Sequence, residues 1–212
     1  MRSQGQAEKS LRWKRAAGCD ARDLPEPAHA VDRSAFPRLL SSVLARLEAD
    51  APRGVILVSG GIGSGKTRTA EAVAQELAAR GAAIGGVLAP RVLSAAETIG
   101  YRIRDLRTGE ERPFATLEPP GTQVGRFFVD EPNLRFALSA IERGARDAQV
   151  VFVDEVGRWE LRGGGLAPAV RTLLRSEALP ILLVRCELAL AVVEAFALPR
   201  VEQVEVEEGH GS

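Results

Sequence analysis

One stretch of eight residues, residues 60–67, constrains the fold of this chain more than any other feature. It reads Gly-Gly-Ile-Gly-Ser-Gly-Lys-Thr and satisfies the pattern G-x-x-x-x-G-K-[ST]. A short apolar run rich in β-branched residues, residues 54–59, precedes it, and an alanine-rich stretch typical of a helix, residues 66–80, follows it. A buried strand that leads through a glycine-rich turn into a helix points backbone N–H groups and the positive helix end at one anion. The pattern therefore predicts a phosphate-binding loop (P-loop) inside an α/β domain.

The last two residues of the loop have distinct expected roles. The ammonium group of Lys66 is expected to reach the β- and γ-phosphates of a nucleoside triphosphate, and the hydroxyl of Thr67 is expected to coordinate Mg²⁺. Lysine is scarce in this chain, and the other two, Lys9 and Lys14, lie near the N-terminus. The third lysine, Lys66, lies in the P-loop, where a compact ammonium charge has a specific role that arginine would fill poorly.

A second acidic element ends an apolar strand predicted at residues 149–153. Asp154 and Glu155 follow this strand directly, and in P-loop proteins an Asp in this place holds the Mg²⁺ shell. We expect Asp154 to take that role and Glu155 to act as the general base for the water that attacks the γ-phosphate. The adjacent Asp-Glu pair favours hydrolysis over transfer of the phosphoryl group to another substrate.

These roles define the predicted site. The predicted metal ligands are Thr67 and Asp154, and the predicted catalytic residues are Lys66 and Glu155. The predicted nucleotide contacts are Gly60, Gly61, Ile62, Gly63, Ser64, Gly65, Lys66, Thr67, Arg68, Asp154 and Gly157.

Elsewhere, short apolar runs alternate with stretches of helical periodicity. The predicted strands are 85–89, 124–129, 181–184 and 201–207, with a hairpin around the turn at 108–110, and the predicted helices are 133–146, 166–177 and 188–196. This alternation predicts a three-layer α/β fold: a mostly parallel sheet with helices on both faces and an antiparallel hairpin insertion. We place the domain at residues 34–208, beginning with an amphipathic helix at 34–50 that Ser34 would cap. Residues 1–33 lack apolar periodicity and are predicted to be a flexible tail.

Composition excludes several other classes. A chain of 212 residues with 45% hydrophobic and 26% charged residues fits one soluble domain. A net charge of zero gives no reason to expect nucleic acid as a partner, and the apolar runs are too short to cross a membrane. Cys19 and Cys186 lack metal-ligand spacing, which favours reduced thiols and a cytoplasmic location. Both histidines, His29 and His210, fall in predicted tails, so imidazole catalysis is not expected.

Several segments of the chain together resemble one known family. Beside the P-loop they are GGVLAP at 85–90, IGYRIRDL at 99–106, TGE at 108–110, VGRFFVD at 124–130 and DEVGRWEL at 154–161. On these segments, over roughly residues 54–184, the chain resembles the cancer-related nucleoside-triphosphatase family, also known from thermophilic archaea and bacteria. The resemblance implies a RecA-like fold. It also implies slow hydrolysis of several nucleoside triphosphates to diphosphate and phosphate, with little base preference.

The chain departs from that family in four places, the first being an N-terminal extension of about fifty residues. Trp159 replaces the methionine of the family pattern Asp-Glu-x-Gly-x-Met-Glu-Leu, and three glycines at 163–165 replace a Ser/Lys-containing stretch. A lid segment rich in glycine and basic residues reads here Val-Leu-Ser-Ala-Ala-Glu-Thr, at 92–98, without arginine.

The roles of several further residues stay open at this point. An arginine that stabilises transition-state charge accelerates phosphoryl transfer by orders of magnitude; the candidates in this chain are Arg91, Arg158 and Arg162. Tyr101 and Phe127 would either stack on a nucleobase or pack in the core. Glu160 is expected either to hold the catalytic water or to form a surface ion pair.

The leading functional hypothesis is a Mg²⁺-dependent nucleoside triphosphatase that acts as a monomer on a substrate such as ATP or GTP. Two alternatives remain. A nucleotide-switched module would bind a protein partner through residues 1–33, and a small-molecule kinase would use the same P-loop, since this fold hosts many functions.

Overall fold

The computed structural model of the chain describes residues 34–49, 54–95 and 97–207. The predicted tail at residues 1–33 lies outside the described residues, as do Cys19, His29 and His210. The helices are α1 (Ala35–Glu48), α2 (Lys66–Ala79), α3 (Glu131–Asp147), α4 (Arg158–Leu161), α5 (Ala167–Leu173) and α6 (Ala189–Ala195), with a 3₁₀ turn at Cys186–Leu188. The strands are β1 (Val55–Gly60), β2 (Ile84–Leu88), β3 (Arg91–Ser94), β4 (Glu97–Asp105), β5 (Glu111–Thr116), β6 (Thr122–Val124), β7 (Phe127–Val129), β8 (Val150–Val153), β9 (Leu179–Arg185) and β10 (Val201–Glu205).

Within the described residues, all ten strands belong to one mixed sheet. Five of them, in the order β10-β1-β9-β8-β2, pair in parallel. The sheet then continues antiparallel through β4, β5, β7 and β6, and β3 pairs with β4 beside this path. The α/β fold is confirmed, with an antiparallel part of five strands where a single hairpin was expected.

The P-loop strand β1 is buried on both faces of the sheet. Val55 and Leu57 pack into a core with α3, α5 and α6, whereas Ile56 and Val58 pack into a second core with α1 and α2. This alternation follows from the two-residue period of a strand. It explains why β1 is continuously apolar, and it confirms helices on both faces.

Close packing fixes α3 against β2. A methyl carbon added to Gly85 would lie 2.7 Å from the Cα of Gly144, so glycine at position 85 allows this approach. Strand β2 pairs with β8, the strand that leads to Asp154 and Glu155. The packing of α3 on β2 therefore also helps to position these two acids.

The structure corrects three local predictions. Residues 124–129 are not one strand: β6 ends at Val124 and β7 begins at Phe127, with Gly125 at φ +62° in the turn between them. A helix was predicted at 166–177, but α5 is shorter because it ends at Leu173. Helix α1 forms as predicted, yet the Ser34 side chain makes no capping hydrogen bond.

No helix among residues 34–49, 54–95 and 97–207 combines the length and the apolar character needed to cross a bilayer.

Candidate phosphate-binding and hydrolytic site

The P-loop connects β1 to α2 through two glycines in left-handed conformations. Gly63 has φ +87° and Gly65 has φ +99°, values that L side chains rarely adopt. Helix α2 begins immediately afterwards, at Lys66, so its positive end faces the loop. The Ser64 hydroxyl is buried and has no hydrogen-bond partner in the described part of the chain, while Ile62 is exposed at the loop tip.

The Lys66 ammonium group is held over the loop by backbone carbonyls. Its Nζ donates hydrogen bonds to the carbonyl oxygens of Gly60 at 2.9 Å and Gly61 at 2.6 Å. Burial lowers the pKa of Lys66, and the negative charges of Glu155 and Asp154 oppose that change. The cation is thus held at the loop that is predicted to bind phosphates.

Asp154 connects the P-loop to the neighbouring strands. Its Oδ2 accepts hydrogen bonds from the Thr67 hydroxyl at 2.8 Å and from the backbone N–H of Ala89 at 3.0 Å. Its Oδ1 accepts from the N–H of Glu155 at 2.8 Å. Burial raises the pKa of Asp154, whereas these three donors stabilise the carboxylate. The structure therefore brings the two predicted metal ligands into direct contact.

The contact of Thr67 with Asp154 is suited to a hard divalent cation. A hydroxyl and a carboxylate oxygen are the donors that Mg²⁺ takes from proteins when phosphate oxygens and water supply the remaining ligands. These two residues could hold such an ion.

Glu155 has a strained backbone at the end of β8. Its φ is +58°, an uncommon value for a residue with a side chain and one that occurs often at functional sites. Burial and the adjacent Asp154 charge raise the pKa of Glu155 to about 7, against the attraction of Arg185 and Lys66. Its side chain lines a cavity of about 300 Å³ that Lys66 and Asp154 also line.

Arg185 is a further candidate that sequence reasoning missed. It ends β9 and pairs in register with Gly60, the first residue of the P-loop. Its charge acts on both Lys66 and Glu155, and it lines the same cavity. The signal that identified Asp154, a polar residue at the end of a buried parallel strand, applies equally to Arg185.

The structure separates the three arginines that the sequence left open. Arg91 reaches the P-loop, since a carbon added to Gly63 would lie 3.4 Å from its Nη2. Arg158 lines the cavity beside Glu155 and also an adjoining recess, whereas Arg162 lines that recess but not the cavity.

Aromatic side chains form much of the cavity wall. Tyr101 and Phe127 are both half-buried, and their rings make an edge-to-face contact with 5.4 Å between the ring centroids. They pack against the core and line the cavity with Phe114 and Trp159. Burial raises the pKa of Tyr101, and the charge of Glu155 acts in the same direction.

Glu160 organises the turn that follows Glu155. Its carboxylate is buried and accepts hydrogen bonds from the N–H groups of Gly157 at 2.9 Å and Leu166 at 3.1 Å. Burial raises the pKa of Glu160, and these donors oppose the change. The predicted surface ion pair is therefore wrong.

Two predicted nucleotide contacts lie at the margin of the site. Gly157 lines the cavity, but its N–H is already engaged by Glu160. Arg68 is exposed on α2.

Two departures from the family pattern fit each other. A methyl carbon added to Gly164 would lie 2.1 Å from Nε1 of Trp159, and one added to Gly165 would lie 2.8 Å from the same indole ring. The glycine run therefore provides the space for the large ring of Trp159.

Comparisons with known proteins find related sequences. A family model described as NTPase matches residues 55–209. The Nucleoside-triphosphatase THEP1 of Pyrococcus abyssi is 34% identical over 121 residues, which are 57% of this chain and 68% of that protein. The THEP1 proteins of Methanopyrus kandleri and Thermococcus kodakarensis are 37% and 36% identical, over 57% and 58% of this chain and 66% and 71% of theirs.

A solved structure shares the fold. The solution structure of a human cancer-related nucleoside triphosphatase superposes with a TM-score of 0.56 at 23% identity, covering 74% of this chain and 90% of that one. The match of the family model over most of the chain, together with these relatives, shows that the chain belongs to the NTPase family.

Proposed function

We propose that this protein is a Mg²⁺-dependent nucleoside-triphosphate phosphohydrolase that converts triphosphate to diphosphate and phosphate with little base preference. Its curated relatives are named nucleoside-triphosphatases. The hydrogen bond between Thr67 and Asp154 is the observation that carries the proposal, because it joins the phosphate loop to the acidic strand at one point.

In this proposal the P-loop binds the polyphosphate. Backbone N–H groups of the loop and the N-terminus of α2 face the phosphates, and Lys66 moves from its loop carbonyls to the β- and γ-phosphates. Thr67 and Asp154 would hold Mg²⁺, which supplies positive charge to the phosphate oxygens.

Glu155 activates the water. Its carboxylate takes a proton as the water oxygen bonds to the γ-phosphorus, and the bond from that phosphorus to the bridging oxygen breaks. The diphosphate then leaves with the bridging oxygen. Arg91, which lies against Gly63 of the loop, and Arg185, whose charge acts on Lys66 and Glu155, would stabilise the charge that develops on the phosphoryl oxygens.

Little base preference follows from the groups that do the binding. Backbone N–H groups, the Lys66 ammonium and the Thr67 hydroxyl all recognise the phosphates, which every nucleoside triphosphate shares. The cytoplasmic location, the monomeric state and a protein partner for residues 1–33 stay predictions from the sequence.

The test is phosphate release from ATP, GTP, CTP and UTP, with product identification, in the presence of Mg²⁺ and of EDTA. We expect diphosphate and phosphate from all four substrates, at rates within about tenfold of one another, and no release with EDTA. Release that persists without a divalent cation would contradict the metal assignment. A product with phosphate on an organic acceptor would contradict hydrolysis.

A further inference from the structure

The cavity beside Glu155 extends away from the P-loop. Lys66 is the residue of the loop segment 60–67 that lines it, and much of the remaining wall comes from β4, β5, β7 and α4. Under the proposed function, Lys66 and Glu155 act at the γ-phosphate, and the nucleoside is separated from that phosphate by two further phosphates. The cavity therefore lies beyond the γ-phosphate, where neither water activation nor the nucleoside accounts for its size.

The wall is suited to a flat ring. Tyr101, Phe114, Phe127 and Trp159 line a space of about 300 Å³, which is at the lower end of the size of small-molecule sites. Tyr101 and Phe127 fix each other by their edge-on contact. Aromatic rings bind planar ligands by offset stacking or edge contact.

The charge of the wall favours an anion. Arg126, Arg158 and Arg185 line the cavity. The ion pairs among the described residues involve other arginines and leave Arg158 and Arg185 without a carboxylate at ion-pair distance. Arginine binds carboxylate and phosphate groups by paired hydrogen bonds.

The carboxylates of the wall offset part of this positive charge, but two of them are already engaged by hydrogen bonds from the protein. Glu160 is engaged by two backbone N–H groups, and Asp154 accepts three hydrogen bonds from its surroundings. Lys66, Arg126, Arg158 and Arg185 line the cavity together with Asp154, Glu155 and Glu160, so its cations outnumber its carboxylates by one.

We propose that this cavity binds a second small molecule, a planar aromatic compound with an anionic group, at the same time as the triphosphate. Its position beside the γ-phosphate rests on the proposed function; its ability to bind such a ligand does not.

Trp159 provides a direct readout. It is one of two tryptophans in the chain, the other being Trp13, so in a Trp13→Phe protein the fluorescence comes from Trp159, which lines the cavity. The probes are AMP and 4-nitrobenzoate, and their uncharged counterparts are adenosine and 4-nitrobenzamide. Titrations follow Trp159 fluorescence and, independently, the heat of binding, with and without saturating β,γ-imido ATP and Mg²⁺.

We expect saturable binding of both anionic probes in both conditions, about tenfold tighter than binding of the uncharged counterparts. Arg158→Ala should remove most of that difference. Arg171→Ala serves as the matched control, since Arg171 lies over the Phe196 ring outside the cavity, and it should leave the difference unchanged.

Three results would overturn the proposal: no saturable binding of either anionic probe, equal affinity for charged and uncharged probes, or loss of probe binding when β,γ-imido ATP is present. In the last case the nucleotide itself would fill the cavity, and inorganic triphosphate would then leave the probe bound. Probe binding without any uptake of β,γ-imido ATP would keep the second site and refute the proposed function instead.

Discussion

The two halves of the sheet contribute differently to the site. The parallel half supplies the polar groups, near the carboxyl ends of β1 and β8: Lys66 donates to carbonyls of the P-loop, and the Thr67 hydroxyl and the N–H of Glu155 donate to Asp154. The antiparallel half supplies aromatic surface from β4, β5 and β7 on one side of the same cavity.

The parallel half thus carries the groups proposed to perform the reaction, and the antiparallel half shapes the cavity that would bind a ligand. The side chains of Lys66, Thr67 and Asp154 are fixed by hydrogen bonds, and the backbone N–H of Glu155 donates to Asp154, so their positions depend mainly on the parallel half. The aromatic wall is a packing surface, which can change its side chains without disturbing phosphate binding. Changes in the parallel half should therefore remove activity, whereas changes around α4 and the aromatic wall should alter stability and ligand binding.

The largest expected effect is from Lys66→Ala. Loss of the ammonium removes the cation from the phosphates, and we expect phosphate release to fall by about a thousandfold or more. Steady-state kinetics measures it. Arg135→Ala is the matched control, since it removes a cation paired with Glu131 on the exposed face of α3. A Lys66→Ala protein with activity near that of the control would place the chemistry elsewhere.

The second-largest expected effect is from Glu155→Gln. We expect kcat to fall by about a hundredfold, because an amide cannot accept the proton of the attacking water. Binding of β,γ-imido ATP should change little, and calorimetry checks this. The control is Glu194→Gln on the exposed face of α6. Equal losses of affinity and kcat would mean that Glu155 positions the nucleotide and does not act as the base.

Arg185→Ala tests the residue that sequence reasoning missed. We expect kcat to fall by about tenfold, because a cation beside Lys66 and Glu155 is lost from the charged transition state. Comparison with Arg91→Ala decides which arginine contributes more, and the exposed Arg175→Ala provides the control. Unchanged kinetics in both active-site variants would exclude both from transition-state stabilisation.

Glu160→Gln should affect folding more than chemistry. The carboxylate accepts hydrogen bonds from two backbone N–H groups, and the NH₂ group of glutamine would face one of these donors. We expect the free energy of unfolding to fall by about 1–3 kcal/mol. Urea denaturation measures this, with the exposed Glu118→Gln as control. Wild-type stability would show that Glu160 is not needed to hold this turn.

The smallest expected effect is the coupling between Gly164 and Trp159. Gly164→Ala places a methyl against the indole and should cost about 1–2 kcal/mol, but much less in a Trp159→Met background. A double-mutant cycle on unfolding free energies measures the coupling. Additive effects would mean that the two departures from the family pattern are independent.

The parallel half was largely predictable from sequence, because its signals are local. The P-loop motif determines its own strand and helix, and the acidic pair marks the end of a buried strand, so their meeting follows from parallel pairing. Arg185 also ends a buried parallel strand, but sequence reasoning missed it because no motif surrounds it.

The antiparallel half was less predictable, because its arrangement depends on pairings between distant segments. The segment VGRFFV reads as one apolar strand, yet Gly125 lies in the turn of a hairpin in which β6 pairs with β7, and β7 pairs with β5 on its other side. A surface ion pair was one of two roles left open for Glu160, since sequence does not show that the N–H of Leu166 donates to its carboxylate. The cavity joins side chains from several separate elements and has no local pattern.

Calorimetric titration of β,γ-imido ATP tests the central claim most directly, namely that the loop and a metal held by Thr67 and Asp154 together grip the polyphosphate. The account predicts binding that requires Mg²⁺ and that weakens by about tenfold or more in Thr67→Ala and Asp154→Asn proteins that remain folded by circular dichroism. No heat of binding with Mg²⁺ present, or equal affinity in the two variants and the wild type, would contradict it.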